Sequence, residues 1–515
     1  MQHRLRLALV LGASTLAACD EPRNRLDAGA ADDAPVVSLD AALPDAPGLD
    51  APFVSTVDAA SPGVDAPATM GLASGVTLEG LALFQGVRVE LARAGAVTSR
   101  RNAPIVAARG AVVRAYVSAT SYPRTITGEL EVREGARVVA VHTASATLAR
   151  ASDDADATSV LAFDLPATEV TSSASLVVRL VDAAGESPGA SHPARLPRDG
   201  TALALAAQDD GEGLHLVIVP MRWDSDGSGR LPDVSDAWLM RVRALLTALY
   251  PIVDLRIDVH EVVPWSGGTT WSGSADFGAI NSALLDLRMS DRAPQGAYYY
   301  GLVAPDVDFD SYCGGSCVTG QSYVTDAPED GDFRVGSGVG FGTEDSAWTL
   351  AHEVGHEHGR YHAPCDTSGA DADYPYDGGE IGVWGYDPRS GRFFAPTTTY
   401  DFMGYCDPQW ISDYTWSAMF DRTLAVSALA ARPSTDVLLV RVDGERSLVV
   451  GRRTLHAPRS HTLVPYNFRD THGRVLGRGI APALRQSHSD EELVFLPVAP
   501  LGASRVVVAG VSLAL

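Results

Sequence analysis

Three histidines and a glutamate stand at a spacing that suits metal-assisted hydrolysis. The segment that begins at Ala351 reads A-H-E-V-G-H-E-H-G-R-Y-H, so His356 lies four positions after His352, and His362 lies six positions after His356. Side chains four residues apart lie on one face of a helix, so the first two imidazoles can turn toward one ion. Gly359 can adopt a positive φ, end the helix and bring the third imidazole to the same ion.

Zinc is the ion that such a ligand set suits. Three imidazole nitrogens at about 2.0–2.1 Å leave a fourth position open for water. Glu353 lies beside the ligand face and is the candidate general base: it would take a proton from water as the water attacks a carbonyl, and pass it to the leaving amine. The pattern therefore predicts one catalytic Zn²⁺ and peptide hydrolysis without a covalent intermediate. His358 points away from the ligand pair by its spacing and is predicted to lie at the rim.

A helix must carry these residues, and its surroundings read as mixed α/β. Residues 343–346 contain N-cap candidates just before an apolar start. Residues 214–220 form an apolar run typical of a buried strand. Two further helices are predicted from apolar faces formed by Leu239, Val242, Leu246 and Leu249, and by Phe277, Ile280, Leu284 and Leu287. Residues 213–432 are therefore predicted to be the catalytic domain.

Patterns typical of β-structure flank this region. Residues 76–205 alternate short apolar runs with turn residues, which predicts an accessory β-sandwich without an evident catalytic cluster. Short strand patterns return in residues 433–515 and predict a small C-terminal β domain. The expected fold is therefore a multi-domain α+β protein.

The N-terminal segment resembles a signal peptide for export. Residues 1–18 combine two arginines, a short apolar run and small residues before Cys19, which resembles the bacterial lipobox of a lipoprotein signal peptide. Residues 19–75 are rich in Ala, Asp and Pro and are predicted to be a disordered acidic tether. We therefore expect an exported protein of the bacterial cell envelope, held on the periplasmic or cell-surface side by a lipid on Cys19.

The overall charge excludes one class of partner. Acidic residues number 64 against 40 basic residues, for a formal net charge of −24. Such a surface repels a polyanion, so no nucleic-acid partner is expected.

The histidine motif, together with a second motif, resembles the metzincin clan of zinc metallopeptidases. The motif fits H-E-x-x-H-x-x-G-x-x-H at each fixed position. Residues 400–406, Y-D-F-M-G-Y-C, are similar to the clan's Met-turn. The resemblance implies a metzincin-like domain in which Met403 lies beneath the zinc ligands without binding metal. It also implies that Tyr405 approaches the zinc and helps to hold the oxyanion. The subgroup stays open.

Four cysteines other than Cys19 are expected to form two disulfides, because the protein is predicted to be exported. Three pairings are open. Cys313 with Cys317 and Cys365 with Cys406 is favoured, since the second bond would tie the chain after the third ligand to the chain after the Met-turn. A second zinc site is the alternative.

Asp224 and Asp226 stand in D-S-D-G-S-G, which resembles the start of a calcium loop. Ser235 occupies the twelfth position, where an acidic residue is expected. A solvated acidic turn is therefore the alternative to a Ca²⁺ site.

These patterns together predict a lipid-anchored zinc metalloendopeptidase that acts on protein or peptide substrates. The alternative is a surface adhesin or binding module, including one directed at glycoproteins, built on a protease-like scaffold. Oligomeric state and cleavage preference stay open.

Overall fold

The computed structural model describes residues 70–515, apart from 184, 188, 269–274, 315–316, 368, 430–433, 445–446 and 456–457. The predicted signal peptide, Cys19 and most of the predicted tether lie outside these residues. Residues 68–515 form one compact unit. Its fold is α+β with many strands and few helices, which agrees with the predicted class. No helix in the described part of the chain has the length and hydropathy needed to span a bilayer.

Two antiparallel sheets that share one core form the N-terminal region. Their strands are β1 Gly71–Leu72, β2 Val76–Phe84, β3 Arg88–Arg93, β4 Ala96–Val97, β5 Ala111–Ala119, β6 Arg124–Glu134, β7 Arg137–Leu148, β8 Leu161–Leu165, β9 Ala174–Asp182, β10 Arg195–Leu196 and β11 Leu203–Ala204. One sheet has the order β4-β3-β2-β5-β8. The other has the order β1-β9-β6-β7, with β10 and β11 also on β9. Residues from both inner faces, such as Leu83 and Leu130, lie in one buried cluster. Gly71 and Leu72 already pair with β9, within the last residues of the segment predicted as a tether.

A mostly parallel sheet with helices on both faces follows. Its region contains β12 Leu214–Trp223, α1 Asp236–Leu249, β13 Leu255–Val259, β14 Val263–Trp265, α2 Phe277–Ser290, β15 Ala297–Val303, α3 Phe309–Tyr312, β16 Gly320–Ser322, β17 Val335–Val339, α4 Glu344–Glu357, β18 Gly385–Asp387, β19 Arg392–Phe394, β20 Tyr400–Asp401, β21 Gln409–Trp410 and α5 Asp413–Ser427. The sheet order is β13-β12-β15-β17-β16, with β14 also on β12. β16 is antiparallel to β17 and lies at the edge of the sheet.

Alternation along the central strands explains the two helical layers. Leu216 of β12 packs in one buried cluster with Val242 of α1 and Val354 of α4. The next residue, Val217, faces the opposite side and packs in a second cluster with Ile280 of α2. Successive strand residues point to opposite faces, so one apolar strand supports helices on both sides. The two helices predicted from apolar periodicity are confirmed as α1 and α2.

The C-terminal region is a seven-stranded antiparallel sheet. Its strands are β22 Thr435–Val442, β23 Leu448–Leu455, β24 Leu463–Arg469, β25 Val475–Arg485, β26 Glu492–Pro497, β27 Arg505–Val508 and β28 Val511–Ala514, in the order β23-β22-β26-β25-β24-β27-β28. One face packs on the α2 side of the central region, where the rings of Phe333 and Phe495 lie 4.7 Å apart. This packing brings the turn between β25 and β26 close to α4.

A buried arginine joins the sandwich to α1. Arg109, in the loop between β4 and β5, donates hydrogen bonds to the carbonyls of Ala248, Tyr250 and Ile252 at 3.0, 2.6 and 3.0 Å. The last carbonyls of a helix lack partners within the helix and carry its negative end, so a cation is favourable there. Burial lowers the pKa of Arg109 to about 9. This pKa is still above neutral pH, so the guanidinium stays charged there. The sandwich thereby holds the end of the helix that packs beside α4.

Candidate active site

Helix α4 places the first two histidines of the motif side by side. The helix begins after Thr343, whose side chain accepts a hydrogen bond from the backbone N–H of Ser346. Nε2 of His352 lies 3.1 Å from Nε2 of His356, which lies 3.2 Å from Nε2 of His362. Nitrogens at the corners of a zinc tetrahedron are about 3.3 Å apart, given zinc–nitrogen distances of 2.0–2.1 Å. The three imidazoles therefore fit one such cation.

Hydrogen bonds at the far ring nitrogens orient these imidazoles. Nδ1 of His352 donates to the carbonyl of Phe402 at 2.8 Å, and Nδ1 of His356 donates to the carbonyl of Arg360 at 2.6 Å. A carbonyl can only accept, so each proton sits on Nδ1 and the Nε2 lone pair is free for a metal. Burial lowers the pKa of His352 to about 3 and that of His356 well below its ordinary value. Both rings are therefore neutral, as metal ligation requires.

Two glycines of the motif make this geometry available. Gly359 has φ of 79°, and a Cβ there would lie 2.6 Å from the carbonyl oxygen of Thr325. It ends the helix and reverses the chain before His362, as predicted. Gly355 faces the Met-turn, where a Cβ would overlap Sδ of Met403. Met403 is buried under the helix, and its carbonyl accepts a hydrogen bond from the backbone N–H of Ala363 at 3.0 Å.

Asp401 fixes the Met-turn, and the sequence patterns did not single it out. Its side chain is fully buried and accepts hydrogen bonds from the backbone N–H of Met403 and of Ser412, each at 3.0 Å, as well as from the Ser412 hydroxyl. The carboxylate thus joins the turn beneath the histidines to the start of α5. The sequence feature that could have identified Asp401 is its position two residues before Met403 in the Met-turn.

We expect Asp401→Ala to lower the free energy of unfolding by about 2–4 kcal/mol, because it leaves buried backbone donors unsatisfied. Urea unfolding followed by circular dichroism measures this change. Asp310→Ala, at an exposed aspartate, is the matched control and should change stability by less than about 0.5 kcal/mol. Equal unfolding midpoints for both variants would contradict the role given to Asp401.

Glu353 is buried and held by two residues of the turn between β25 and β26. Its Oε1 lies 2.8 Å from Nε2 of His488, and its Oε2 accepts a hydrogen bond from the Ser487 hydroxyl at 3.0 Å. Burial alone would raise the pKa of Glu353, but His488, His352 and the Ser487 hydroxyl together outweigh burial, and the pKa lies below its ordinary value. The carboxylate is therefore ionised, as a general base must be.

His488 is a fourth histidine at the site. Its Nδ1 contacts the hydroxyl of Tyr405, which also lies 3.3 Å from Nε2 of His362. Each of the four imidazoles offers a nitrogen within 4.8 Å of the others, and no other such metal-binding group is found in the described residues. Sequence analysis missed His488, because it lies far from the motif and has no characteristic spacing to it. Tyr405, in contrast, lies beside the histidines as the resemblance implied.

Two disulfides are present, with the favoured pairing. Cys313 bonds to Cys317 and Cys365 bonds to Cys406, with Cα–Cα distances of 5.2 and 5.7 Å. The second bond lies at the site, since the carbonyl of Cys365 accepts a hydrogen bond from the backbone N–H of Tyr405 at 3.1 Å. The alternative of a second zinc site at these cysteines is therefore set aside.

His358 is not at the rim, and that expectation was wrong. It points away from the ligands but is 2% exposed, and its ring stacks on Tyr298 at 4.5 Å. Its Nδ1 bonds to the carbonyl of Val354 at 2.9 Å. Tyr298 of the sheet and Tyr250, just after α1, enclose this face of α4. The spacing therefore predicted correctly that His358 points away from the ligands, but it did not predict that the side chain is buried.

The carboxylates of Asp224 and Asp226 face arginines instead of each other. Asp224 pairs with Arg222 at 2.9 Å, and Asp226 pairs with Arg230 at 2.5 Å. Neither belongs to a metal-binding group in the part of the chain that is described. The arrangement is that of the alternative, an acidic turn, and gives calcium no support.

An open cleft of about 690 Å³ adjoins the candidate metal centre. His352, Glu353, Tyr405 and His488 line the cleft. Thr319, Trp348 and Asp407 are also among its lining residues. The cleft is large enough for several residues of an extended peptide.

Three converging imidazoles, an ionised carboxylate and an adjoining cleft form a site that could hold a metal ion. The family model Peptidase M66 matches residues 327–408, which include the three motif histidines, Glu353 and the Met-turn. The match supports a metallopeptidase acting on protein or peptide substrates, and it does not favour the adhesin alternative. His488 lies outside the matched segment. No curated protein matches the chain.

Proposed function

We propose that this chain is a zinc-dependent metalloendopeptidase of the metzincin type, and that it cleaves proteins outside the cytoplasm. The observation that carries the proposal is the convergence of the Nε2 atoms of His352, His356 and His362, at 3.1 and 3.2 Å, beside the buried, ionised Glu353. A cation held between them would stabilise imidazole nitrogens that face one another in a buried position. Three nitrogen donors favour zinc among the metals common in proteins.

Zinc held by His352, His356 and His362 would polarise the scissile carbonyl and lower the pKa of an adjacent water. The Glu353 carboxylate accepts the proton of the attacking water and delivers it to the leaving amine. The Tyr405 hydroxyl, 3.3 Å from Nε2 of His362, is placed to donate a hydrogen bond to the oxyanion that develops on the substrate. Met403 supports the histidines from below without contacting substrate.

The cellular location is part of the proposal and is supported by the N-terminal sequence and by the two disulfides. The lipobox-like segment ending at Cys19 and the acidic tether favour a lipid-anchored protein of the bacterial envelope. Two disulfides agree with an oxidising compartment.

The decisive experiment uses the full chain without its signal peptide. We expect elemental analysis to find about one zinc per chain. We also expect the protein to cleave a panel of denatured proteins; 1,10-phenanthroline should stop this cleavage, and added zinc should restore it. Mass spectrometry of the products identifies the bonds cut and shows whether they are internal, as an endopeptidase requires.

Two results would reject the proposal. One is a protein that binds no zinc after dialysis against the metal. The other is cleavage that continues unchanged in the chelator. A zinc-loaded protein that binds glycoproteins but cleaves none of them in any variant described below would instead favour the adhesin alternative.

A further inference from the structure

The chain's own C-terminal region occupies the edge of the central sheet beside the metal centre. The backbone N–H of Ser487 donates to the carbonyl of Ser322 at 2.8 Å, and that of Val324 donates to the carbonyl of Arg485 at 3.0 Å. Between them, Tyr323 and Gln486 form an antiparallel bridge. Residues 485–488 therefore add an extended segment to the line of β16.

An edge strand next to a hydrolytic centre is where an extended peptide would bind. Its unpaired backbone groups offer hydrogen bonds to any added strand, which is a common mode of peptide recognition. Thr319, just before β16, lines the open cleft, whereas Ser322 and Val324 are covered by residues 485–487. The covering segment holds the place that part of a substrate would take.

The same segment delivers His488 to the fourth corner of the metal site. Ring centroids of the three motif histidines are 4.8, 5.4 and 4.7 Å apart, and the centroid of His488 lies 5.2, 5.6 and 4.8 Å from those of His352, His356 and His362. Four imidazoles around one tetrahedral zinc have centroids about 5.2 Å apart, from a zinc–nitrogen distance of 2.0–2.1 Å. The four rings approximate this arrangement.

The two ring nitrogens of His488 have different partners. Nε2 lies 2.8 Å from Oε1 of Glu353, which is within ion-pair distance but without the geometry of a hydrogen bond. Nδ1 lies at the Tyr405 hydroxyl, on the side of His362. His488 thus lies between the motif histidines and the carboxylate needed as base.

His488 also stands between two cavities. The cleft of about 690 Å³ lies on the side of His352 and Glu353, and a second cavity of about 180 Å³ lies on the side of His356 and His362. His488 lines both. An endopeptidase must bind substrate on both sides of the scissile bond, so this residue interrupts the path that a substrate would follow.

We infer that residues 485–488 form a built-in pseudosubstrate, and that His488 is a fourth zinc ligand that keeps the peptidase latent in the conformation described. The inference rests on the proposed function, because it concerns the regulation of the same metal site. Release of the segment exposes the edge strand, Glu353 and the fourth metal position together. The side-chain amide of Gln486 is buried without a hydrogen bond to the described protein, which favours that release.

The test compares the zinc-loaded full chain with His488→Asn. Asparagine tolerates the positive φ of 55° at this position, so the turn keeps its conformation while the imidazole is lost. His472→Ala, at an exposed histidine in another turn of the same sheet, is the matched control. His488→Gly is the second variant, should the asparagine variant fail to fold.

X-ray absorption at the zinc edge counts the imidazoles, independently of activity. We expect four in the parent and in His472→Ala, and three in His488→Asn. Acetohydroxamate, a small zinc-binding probe, should bind the asparagine variant at least tenfold more tightly than the parent. Cleavage of denatured protein should rise by about 10–100-fold, as expected if the open form is populated at 1–10% in the parent.

The outcomes separate this inference from the proposed function. Three imidazoles in the parent, together with unchanged or reduced cleavage by His488→Asn, would overturn the inference and leave a zinc peptidase. Absence of zinc from the parent and both variants would overturn the proposed function as well. Four imidazoles in the parent, three in the variant and increased cleavage would support both.

Discussion

Replacing Glu353 with glutamine is expected to reduce peptide hydrolysis by about 10²–10⁴-fold, because the site loses its general base. Zinc should stay bound at the parent's stoichiometry, since the carboxylate contacts His488 and Ser487 and is not one of the converging nitrogens. Glutamine keeps the size of the side chain and can still hydrogen-bond to Ser487. The loss would therefore report on chemistry and not on folding. Initial rates on a denatured protein, paired with elemental analysis, measure both quantities.

The carboxylate is engaged by His488 in the conformation described, so the comparison is made in two backgrounds. We expect the same fractional loss in the parent and in His488→Asn, where Glu353 no longer has that contact. Glu261→Ala, at an exposed glutamate away from the site, is the matched control and should retain full activity. A glutamine variant that digests protein as fast as its background would reject the mechanism.

Removal of one metal ligand is expected to have the other large effect. His356 lies closest to both other motif histidines, at 3.1 and 3.2 Å between Nε2 atoms. His356→Ala should weaken zinc binding by more than about 100-fold, because loss of a ligand's supporting partner alone costs 10–100-fold. Proteolysis should disappear at the same zinc concentration. Competition with a chromophoric chelator gives the dissociation constant.

The stability of the same variant provides a second readout. A metal that binds only the folded state raises the unfolding temperature, so zinc should raise that of the parent and hardly change that of His356→Ala. His461→Ala, at an exposed histidine in the connection before β24, is the control and should behave as the parent. Equal zinc affinity in the parent and His356→Ala would show that the converging imidazoles are not the binding site.

Local sequence was sufficient to predict a feature of the site or fold when the contacts that determine it are close along the chain. The spacing of His352 and His356 places them on one helical face, and Gly359 makes the turn before His362. Apolar periodicity located α1 and α2 because a helix buries residues at a fixed repeat. The disulfide between Cys365 and Cys406 followed from the idea that two neighbouring loops of one site are tied together.

Prediction from sequence was less successful where burial depends on distant elements. His358 was placed at the rim because its spacing shows only that it points away from the ligands. Tyr298 of β15 and Tyr250 after α1 cover that side and bury it. Asp224 and Asp226 resemble the start of a calcium loop in sequence, whereas in the structure each pairs with a nearby arginine.

The sequence by itself determined the candidate chemistry: three histidines, a glutamate, a turn glycine and a methionine at spacings that a single helix and two loops can bring together. Only the tertiary structure decided that Asp401 anchors the Met-turn and that His488 completes a group of four imidazoles. The physical reason is that His488 reaches the site through packing of the C-terminal sheet on the α2 side and pairing of residues 485–487 with the edge strand. These contacts join residues distant in the chain, and no local spacing encodes them.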